Sequence, residues 1–280
     1  MPYGMINGVK MFYRMKGSGI PIVFIHPPLM TSANFIYQLE QLSDQFQVIA
    51  FDIRGHGKSG HSDVPLTYSV IADDLIQLLD LLNIKKAYVC GYSTGGGIAM
   101  EAMLNEPGRF HGGILVSSMS EASDWLLRVR LAAAVAVASM KANEIMSAAF
   151  SWGNSDKPQT FLTLFQQSRC GSMPNIRQYF AASLKYNCTS RLKQLHLPQL
   201  LIYGEKDKSF RRYARMFMRE LPNSTFVCIR GARHQIPTKA AERMNRLLTA
   251  WIMQLSEMYD EEQLLREFPV ERGEEVIRME

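Results

Sequence analysis

The feature that most limits the fold of this chain is a regular alternation of short apolar runs with helical segments. Apolar runs of strand length lie at 21–25, 47–51, 87–90 and 113–117. Helical periodicity occupies the intervals, at 33–43, 68–82 and 96–105. Strands that are apolar at nearly every position are buried on both faces, as in a parallel sheet with helices on either side. The sequence therefore predicts an α/β fold.

The alternation begins after a hairpin and is interrupted once. Asn7-Gly8 between two short mixed runs predicts a two-residue hairpin turn. From 118 to 195 the alternation is replaced by helical segments, at 126–140, 160–167 and 176–185. The alternation then resumes, with strands at 199–203 and 225–229 and helices at 213–220 and 238–258. We expect a core of residues 1–117 and 196–258, a helical cap of 118–195, and a charged C-terminal tail of 259–280.

Size and composition exclude several other classes of protein. A chain of 280 residues with 47% hydrophobic and 20% charged residues is typical of one large globular domain. No apolar run approaches the ~18 residues that cross a bilayer. The N-terminus lacks the pattern of a secretory signal, so a cytoplasmic location is expected.

Charge is distributed unevenly along the chain. Residues 191–246 hold 13 Lys and Arg against 4 Asp and Glu, whereas 257–280 holds 9 acids and 3 arginines. No nucleic-acid recognition motif accompanies the basic segment, and its arginines at 211, 212, 215 and 219 have the spacing of one solvated helix face. We expect no nucleic-acid partner and no membrane partner. We also expect the acidic tail to dock on residues 206–219.

The segment Gly91-Tyr92-Ser93-Thr94-Gly95 joins an apolar strand to a helix of small residues. A sharp turn of this G-x-S-x-G form exposes the serine hydroxyl, and the helix that follows directs free N–H groups at the reaction centre. The glycines are needed where a Cβ would strike the neighbouring strand or helix. Ser93 is therefore a candidate nucleophile, and the alternative is a tight turn whose serine caps a helix.

An acid and a histidine follow the last two predicted strands. Asp207 comes shortly after the strand at 199–203, and His234 after the strand at 225–229. Because catalytic groups of open parallel sheets gather outside the carboxyl ends of the strands, these side chains and Ser93 are expected at one edge. Alternatively, Asp207 caps the next helix and His234 is a polar loop residue. Glu205 is the nearest substitute for Asp207.

The order Ser, Asp, His resembles that of the α/β-hydrolase family, and so does the segment 52–59, which matches the D-x-R-G-x-G-x-S loop of esterases and dehalogenases. The resemblance covers nearly all of residues 1–258. It implies an eight-stranded, mostly parallel sheet with an inserted helical cap. It also implies that Ser93 is the nucleophile, His234 the general base, Asp207 its anchor and Thr94 N–H an oxyanion donor. His26, His56 and Asp52 then have supporting roles.

One segment departs from the family pattern. Members usually carry His-Gly-x after the third strand, where x donates the second oxyanion N–H, but this chain has His26-Pro27-Pro28-Leu29. Proline has no N–H to donate. Pro28 and Leu29 are the candidates for this part of the oxyanion hole. Either the loop shifts so that Leu29 donates, or hydrolysis is slow, or the fold serves another purpose.

The predicted reaction is hydrolysis of a small or medium apolar carboxylic ester, thioester or lactone through an acyl-serine. The cap supplies apolar residues over Ser93; Trp125, Phe150, Trp152, Phe161 and Phe165 are expected mainly in its core. No cofactor and no metal site are expected. The alternatives are a ligand receptor or signalling partner with little turnover, and a lyase that uses the triad as a proton relay.

Overall fold

The computed structural model describes residues 2–140 and 142–267, and the centre of this part is an eight-stranded sheet. Its order is β1-β2-β4-β3-β5-β6-β7-β8. The strands are β1 Tyr3–Ile6, β2 Val9–Lys16, β3 Ile20–Ile25, β4 Phe46–Phe51, β5 Ala87–Tyr92, β6 Phe110–Val116, β7 Gln199–Gly204 and β8 Ser224–Ile229. β2 is antiparallel to β1 and β4, and all other neighbours are parallel. The predicted sheet is confirmed.

Ten α-helices accompany the sheet in the same residues. They are α1 Ile36–Gln41, α2 Tyr68–Leu81, α3 Gly95–Asn105, α4 Trp125–Ser139, α5 Asn143–Asn154, α6 Pro158–Ser168, α7 Met173–Lys185, α8 Arg211–Glu220, α9 Ile236–Lys239 and α10 Ala241–Glu267. None of the helices in this part of the chain combines the length and the apolar character that spanning a bilayer requires.

Alternate side chains of each central strand enter two separate cores. In β3, Val23 and Ile25 belong to the core that includes residues of α2, α3 and α8, whereas Ile22 and Phe24 belong to the core that includes residues of α1 and α10. All four side chains are fully buried. Burial on both faces explains why these strands are apolar throughout.

The four helices α4 to α7 lie between β6 and β7, and the two ends of this insertion meet. Cys188 N–H donates to Ser120 O at 3.0 Å, and Asn187 Nδ2 donates to a Glu121 carboxylate oxygen at 2.6 Å. Tyr179 of α7 reaches down to the sheet, where its hydroxyl donates to His26 O at 3.0 Å. These bonds hold the insertion over the carboxyl ends of the strands.

Two stretches differ from the sequence prediction. Helix α5 is not among the predicted helices, because its preceding residue Ala142 provides no side-chain cap and Gly153 lies near its end. The closing helix is divided at Ala240 into α9 and α10, and α10 continues to Glu267 rather than ending at 258. The expected docking of the tail 259–280 stays a prediction, because residues 268–280 lie outside the described residues.

Candidate active site

Ser93 lies on a strained turn between β5 and α3. Its φ angle is +55°, in the left-handed region, and its N–H donates to Val116 O at 2.9 Å. A Cβ at Gly91 would overlap Gly96 Cα, and one at Gly95 would overlap Ile25 O. The close approach of backbone therefore requires glycine at both positions, as the motif predicts. The glycines allow the strained conformation of Ser93, and strain of this kind costs about 1–3 kcal/mol.

Ser93, His234 and Asp207 form one hydrogen-bonded relay. His234 Nε2 lies 3.0 Å from Ser93 Oγ, and His234 Nδ1 lies 2.7 Å from an Asp207 carboxylate oxygen. Asp207 is buried, and the His234 side chain is 22% exposed. The geometry suits an imidazole that donates from Nδ1 to the carboxylate and accepts the serine proton at Nε2. The three residues that the sequence singles out are thus brought together.

Glu205 does not take the place of Asp207. Its carboxylate accepts the Gly231 N–H at 2.7 Å, and Lys206 N–H donates to Ala232 O at 2.8 Å. These bonds join the loop after β7 to the loop that carries His234. Glu205 therefore fixes the spacing of the two loops, and Asp207 alone contacts the imidazole.

Two aromatic rings that the sequence does not identify pack against the imidazole. The Phe210 ring centroid lies 4.3 Å from that of His234, and the Tyr92 ring centroid lies 5.4 Å away. Tyr92 also donates its hydroxyl to Asn154 Oδ1 at 3.2 Å, which connects the nucleophile strand to α5. Because both rings are buried, they limit the rotation of His234 on two sides. Their proximity in sequence to Ser93 and Asp207 was the available signal.

The 52–59 loop is structural. One Asp52 carboxylate oxygen accepts the Ser32 N–H at 2.8 Å, and the other accepts the Lys58 N–H at 2.9 Å. Arg54 forms a buried ion pair with Asp74, with Nε 2.6 Å from the carboxylate. The sequence predicts the organising role of Asp52 but does not identify Asp74, which lies in α2.

His26 and His56 are neutral supports. Burial lowers the pKa of His26 to about 4 and that of His56 to about 3. His26 Nε2 accepts the Ile53 N–H at 3.0 Å, and its Nδ1 lies 2.9 Å from Pro27 O. His56 Nδ1 lies 3.2 Å from Arg54 O. Three of their four ring nitrogens contact loop backbone, in keeping with a supporting role, and His56 Nε2 has no partner among the described residues.

We predict that His56 makes the protein sensitive to acid. The pKa of His56 is lower in the folded chain than the ordinary 6.5. Below pH 6.5 the unfolded chain therefore binds a proton at His56, whereas the folded chain binds it only near pH 3. Between pH 7 and 5 this proton uptake lowers the free energy of unfolding by about 2 kcal/mol. The difference in stability between wild type and His56→Gln should shrink by that amount, measured by urea unfolding. A His61→Gln variant is the control, since His61 is half exposed. An unchanged difference for His56→Gln would contradict the prediction.

The segment 27–30 forms a tight turn beside the nucleophile loop. Met30 N–H donates to Pro27 O at 3.2 Å, and Leu29 has a φ angle of +69°. A positive φ at the third residue, after proline at the second, is the pattern of a type II turn, which usually places glycine there. Among the described residues, neither the Leu29 N–H nor the Thr94 N–H donates to another protein group. Both residues are also buried, so each of them holds a backbone N–H without a protein acceptor in a largely covered position.

The cap aromatics are placed differently from the expectation. Trp125 and Trp152 are 73% and 74% exposed, so neither belongs to the cap core. Phe150 does pack against buried residues, including Met30 and Leu164. A helix period alone cannot distinguish the covered face of a cap helix from its solvent face, which is why the prediction was wrong for the two tryptophans. Within the described residues, no group of three His, Cys, Asp or Glu side chains is arranged to hold a metal.

The fold, the turn at Ser93 and the order of the three polar residues define a class. The α/β-hydrolase fold family model matches residues 20–237, and the chain belongs to this family. Among solved structures, an esterase from Thermogutta terrifontis superposes with a TM-score of 0.80 at 20% identity, covering 90% of this chain and 98% of the esterase. An enol-lactonase from Burkholderia xenovorans gives 0.81 at 19% identity, covering 90% of this chain and 100% of the lactonase. At these identities the structures show a common fold.

Curated relatives match shorter segments. The sn-1-specific diacylglycerol lipase of Danio rerio is 39% identical over 94 residues, which are 33% of this chain and 29% of the lipase. An ethanol acetyltransferase of Hanseniaspora uvarum is 31% identical over 100 residues, 35% of this chain and 30% of that protein. The chain thus spans less than a third of the length of these two relatives.

Proposed function

We propose that this protein is a serine hydrolase of carboxylic esters, thioesters or lactones with a small or medium apolar acyl group. The observation that carries the proposal is the continuous relay from Ser93 Oγ through His234 to Asp207, with contacts of 3.0 and 2.7 Å. A buried carboxylate behind an imidazole, itself in contact with a serine on a strained turn, is an arrangement suited to acyl transfer.

The relay supports a two-step reaction. His234 Nε2 takes the Ser93 proton as Oγ bonds to the carbonyl carbon, and then gives that proton to the leaving alkoxide as the ester C–O bond breaks. Water next attacks the acyl-serine, losing a proton to His234, which returns it to Ser93 Oγ as the acid departs. Asp207 holds the imidazole orientation and stabilises its charged form in both steps.

The oxyanion is assigned to the backbone of Thr94 and Leu29. Both residues are buried, and neither N–H has an acceptor among the described residues. Pro28 has no N–H, and the Met30 N–H is engaged by Pro27 O, so Leu29 is the donor that remains in this loop. Under this assignment the second oxyanion donor lies one residue later than the x of the His-Gly-x pattern, at Leu29 instead of Pro28.

We predict that Pro28→Ala leaves kcat/KM within about threefold, because the hole already has two donors, whereas adding a missing donor would raise the rate ~10² to 10³-fold. The free energy of unfolding should fall by about 0.4–1 kcal/mol, since alanine gives the unfolded chain more freedom. Steady-state kinetics and urea unfolding measure the two effects. Pro65→Ala, in an exposed loop, controls for the entropy change. A rate increase of ~10²-fold would show that Leu29 does not donate.

An apolar acyl group is favoured by the side chains near the relay. Phe210 and Tyr92 border the imidazole, and Met30, Phe150 and Leu164 form a small apolar cluster between the turn at 27–30 and the cap. Two relatives are named as a lipase and an acetyltransferase, and both names denote reactions of acyl groups. A cytoplasmic location stays a prediction.

The test is covalent labelling with a fluorophosphonate, followed by peptide mapping, together with a screen of short-chain esters, thioesters and lactones. We expect one adduct, on Ser93, and turnover of at least one acyl class. Labelling elsewhere, or hydrolysis that Ser93→Ala retains, would overturn the proposal. The receptor alternative rests on the missing donors of Pro27 and Pro28 and on the acidic tail that follows a basic segment. The unpaired Leu29 N–H weakens the first of these two arguments.

A further inference from the structure

Exposed cations surround the two loops that carry Asp207 and His234. This group, called here the basic rim, consists of Lys206, Lys208, Arg211, Arg215, Arg230 and Arg233. In the part of the chain that the structure describes, none of the six forms an ion pair. Three carboxylates lie nearby: Asp207 contacts His234, Glu205 accepts the Gly231 N–H, and Asp124 pairs with Arg212 at 3.3 Å. Among the described residues, the six cations of the rim outnumber these carboxylates, so the rim carries a net positive charge.

An exposed apolar surface begins at the first turn of α4. Trp125, Leu126 and Val129, called here the apolar tip, are all exposed. The Asp124 carboxylate caps the start of this helix, where it accepts the Leu127 N–H at 2.9 Å. A cluster of this kind on a water-facing helix is characteristic of an interaction surface.

Hydrogen bonds, an ion pair and ring contacts join the apolar tip to the basic rim and to the relay. Asp124 N–H donates to the Tyr213 hydroxyl at 3.1 Å, and Asp124 pairs with Arg212, so the start of α4 rests on α8. The Tyr213 and Phe210 rings are 5.4 Å apart, and Phe210 in turn contacts His234. Arg211 also holds Glu205 O at 2.7 Å. The tip, the rim and the catalytic loops thus form one continuous region.

We propose that the apolar tip and the basic rim together bind the surface of an anionic phospholipid bilayer. The cations come from three separate elements and are exposed, which suits many headgroups on a plane rather than one phosphate enclosed by converging donors. Tryptophan beside aliphatic residues suits the boundary between headgroups and acyl chains. The consequence for substrate rests on the proposed function: acyl esters partitioned in the membrane would reach the triad from this side. The sequence predicts no membrane partner, and the proposal departs from that prediction because the exposure of Trp125 depends on the tertiary structure.

The experiment is flotation of the full chain with vesicles of phosphatidylcholine alone or of equal parts phosphatidylcholine and phosphatidylserine. Binding is expected only to the anionic vesicles, with loss at about 1 M salt, where the Debye length is ~3 Å. Each cation contributes about fivefold to partitioning, so the triple variant Lys208→Gln, Arg215→Gln, Arg230→Gln should bind roughly 100-fold more weakly. Trp125→Ala should lower binding by about tenfold.

Matched variants distinguish this surface from charge or tryptophan content in general. Trp152→Ala removes an equally exposed tryptophan from α5, and Lys16→Gln, Lys85→Gln, Lys86→Gln removes three exposed cations near the amino ends of the parallel strands, away from the rim. Both should bind as wild type does. The proposal is overturned by equal binding to neutral vesicles, by equal losses in the matched variants, or by self-association in sedimentation velocity that Trp125→Ala abolishes.

The two proposals fail separately. Hydrolysis of a water-soluble ester by wild type without vesicle binding overturns the membrane surface alone. Vesicle binding by a wild type that neither hydrolyses esters nor labels at Ser93 overturns the hydrolase alone. Ser93→Ala should float as wild type does, since Ser93 is outside the tip and the rim.

Discussion

Replacing Ser93 by alanine is expected to lower kcat for ester hydrolysis by at least ~10⁴-fold. The variant removes the only atom that His234 Nε2 contacts in the relay, at 3.0 Å, and with it the acyl-enzyme route. Thr94 and Leu29 still present their amides, so a residual rate above that in water is expected from the oxyanion hole. Steady-state kinetics on a short-chain ester and burst-phase product release measure the change.

The control for Ser93→Ala is Ser117→Ala. Ser117 is buried at the end of the neighbouring strand β6, also has a positive φ, and its hydroxyl has no partner among the described residues. Losing that hydroxyl should change kcat by less than a few-fold. If Ser93→Ala retained more than a tenth of wild-type turnover, a residue other than Ser93 would be the nucleophile.

Asp207→Asn is expected to lower kcat by about 10³ to 10⁴-fold while the fold persists. The carboxylate accepts a hydrogen bond from His234 Nδ1 at 2.7 Å, which keeps Nε2 free to take the serine proton. An amide NH₂ at this place favours the opposite tautomer, in which Nε2 carries the proton. Steady-state kinetics and the rate of fluorophosphonate labelling should fall together, because both require a basic Nε2.

Glu205→Gln is the matched control for Asp207→Asn. Glu205 lies two residues earlier, but its carboxylate accepts the Gly231 N–H rather than contacting the imidazole. Glutamine keeps an acceptor oxygen there, so kcat should stay within a few-fold of wild type. A larger loss of kcat in Glu205→Gln than in Asp207→Asn would show that Glu205, and not Asp207, orients the imidazole.

The main elements of the sheet could be predicted because their determinants are local. Runs that are apolar at nearly every position, such as 47–51 and 87–90, identify buried strands without knowledge of their neighbours. The glycines of the Ser93 turn are similarly readable, since a backbone that approaches another so closely excludes a Cβ. Helix α5 was not predicted because packing against the other helices of the insertion stabilises it, and no side chain caps its N-terminus.

The candidate site was predictable in its reacting groups and not in their surroundings. Ser93, Asp207 and His234 follow strands whose carboxyl ends share an edge, so chain order suffices to place them together. Phe210 belongs to no motif, and Tyr92 occupies a variable position of the G-x-S-x-G motif. The contacts of both rings with His234 depend on how the loops after β5, β7 and β8 fold back.

The sequence by itself determined the alternating architecture and the three polar residues of the relay, because both follow from periodicity and from position relative to strand ends. Tertiary structure alone decided that Leu29 keeps an unpaired amide, that Asp74 neutralises Arg54, and that Trp125 faces water. Each of these depends on contacts between residues distant in the chain, and the free energy of such contacts is set by burial and pairing that no local pattern encodes.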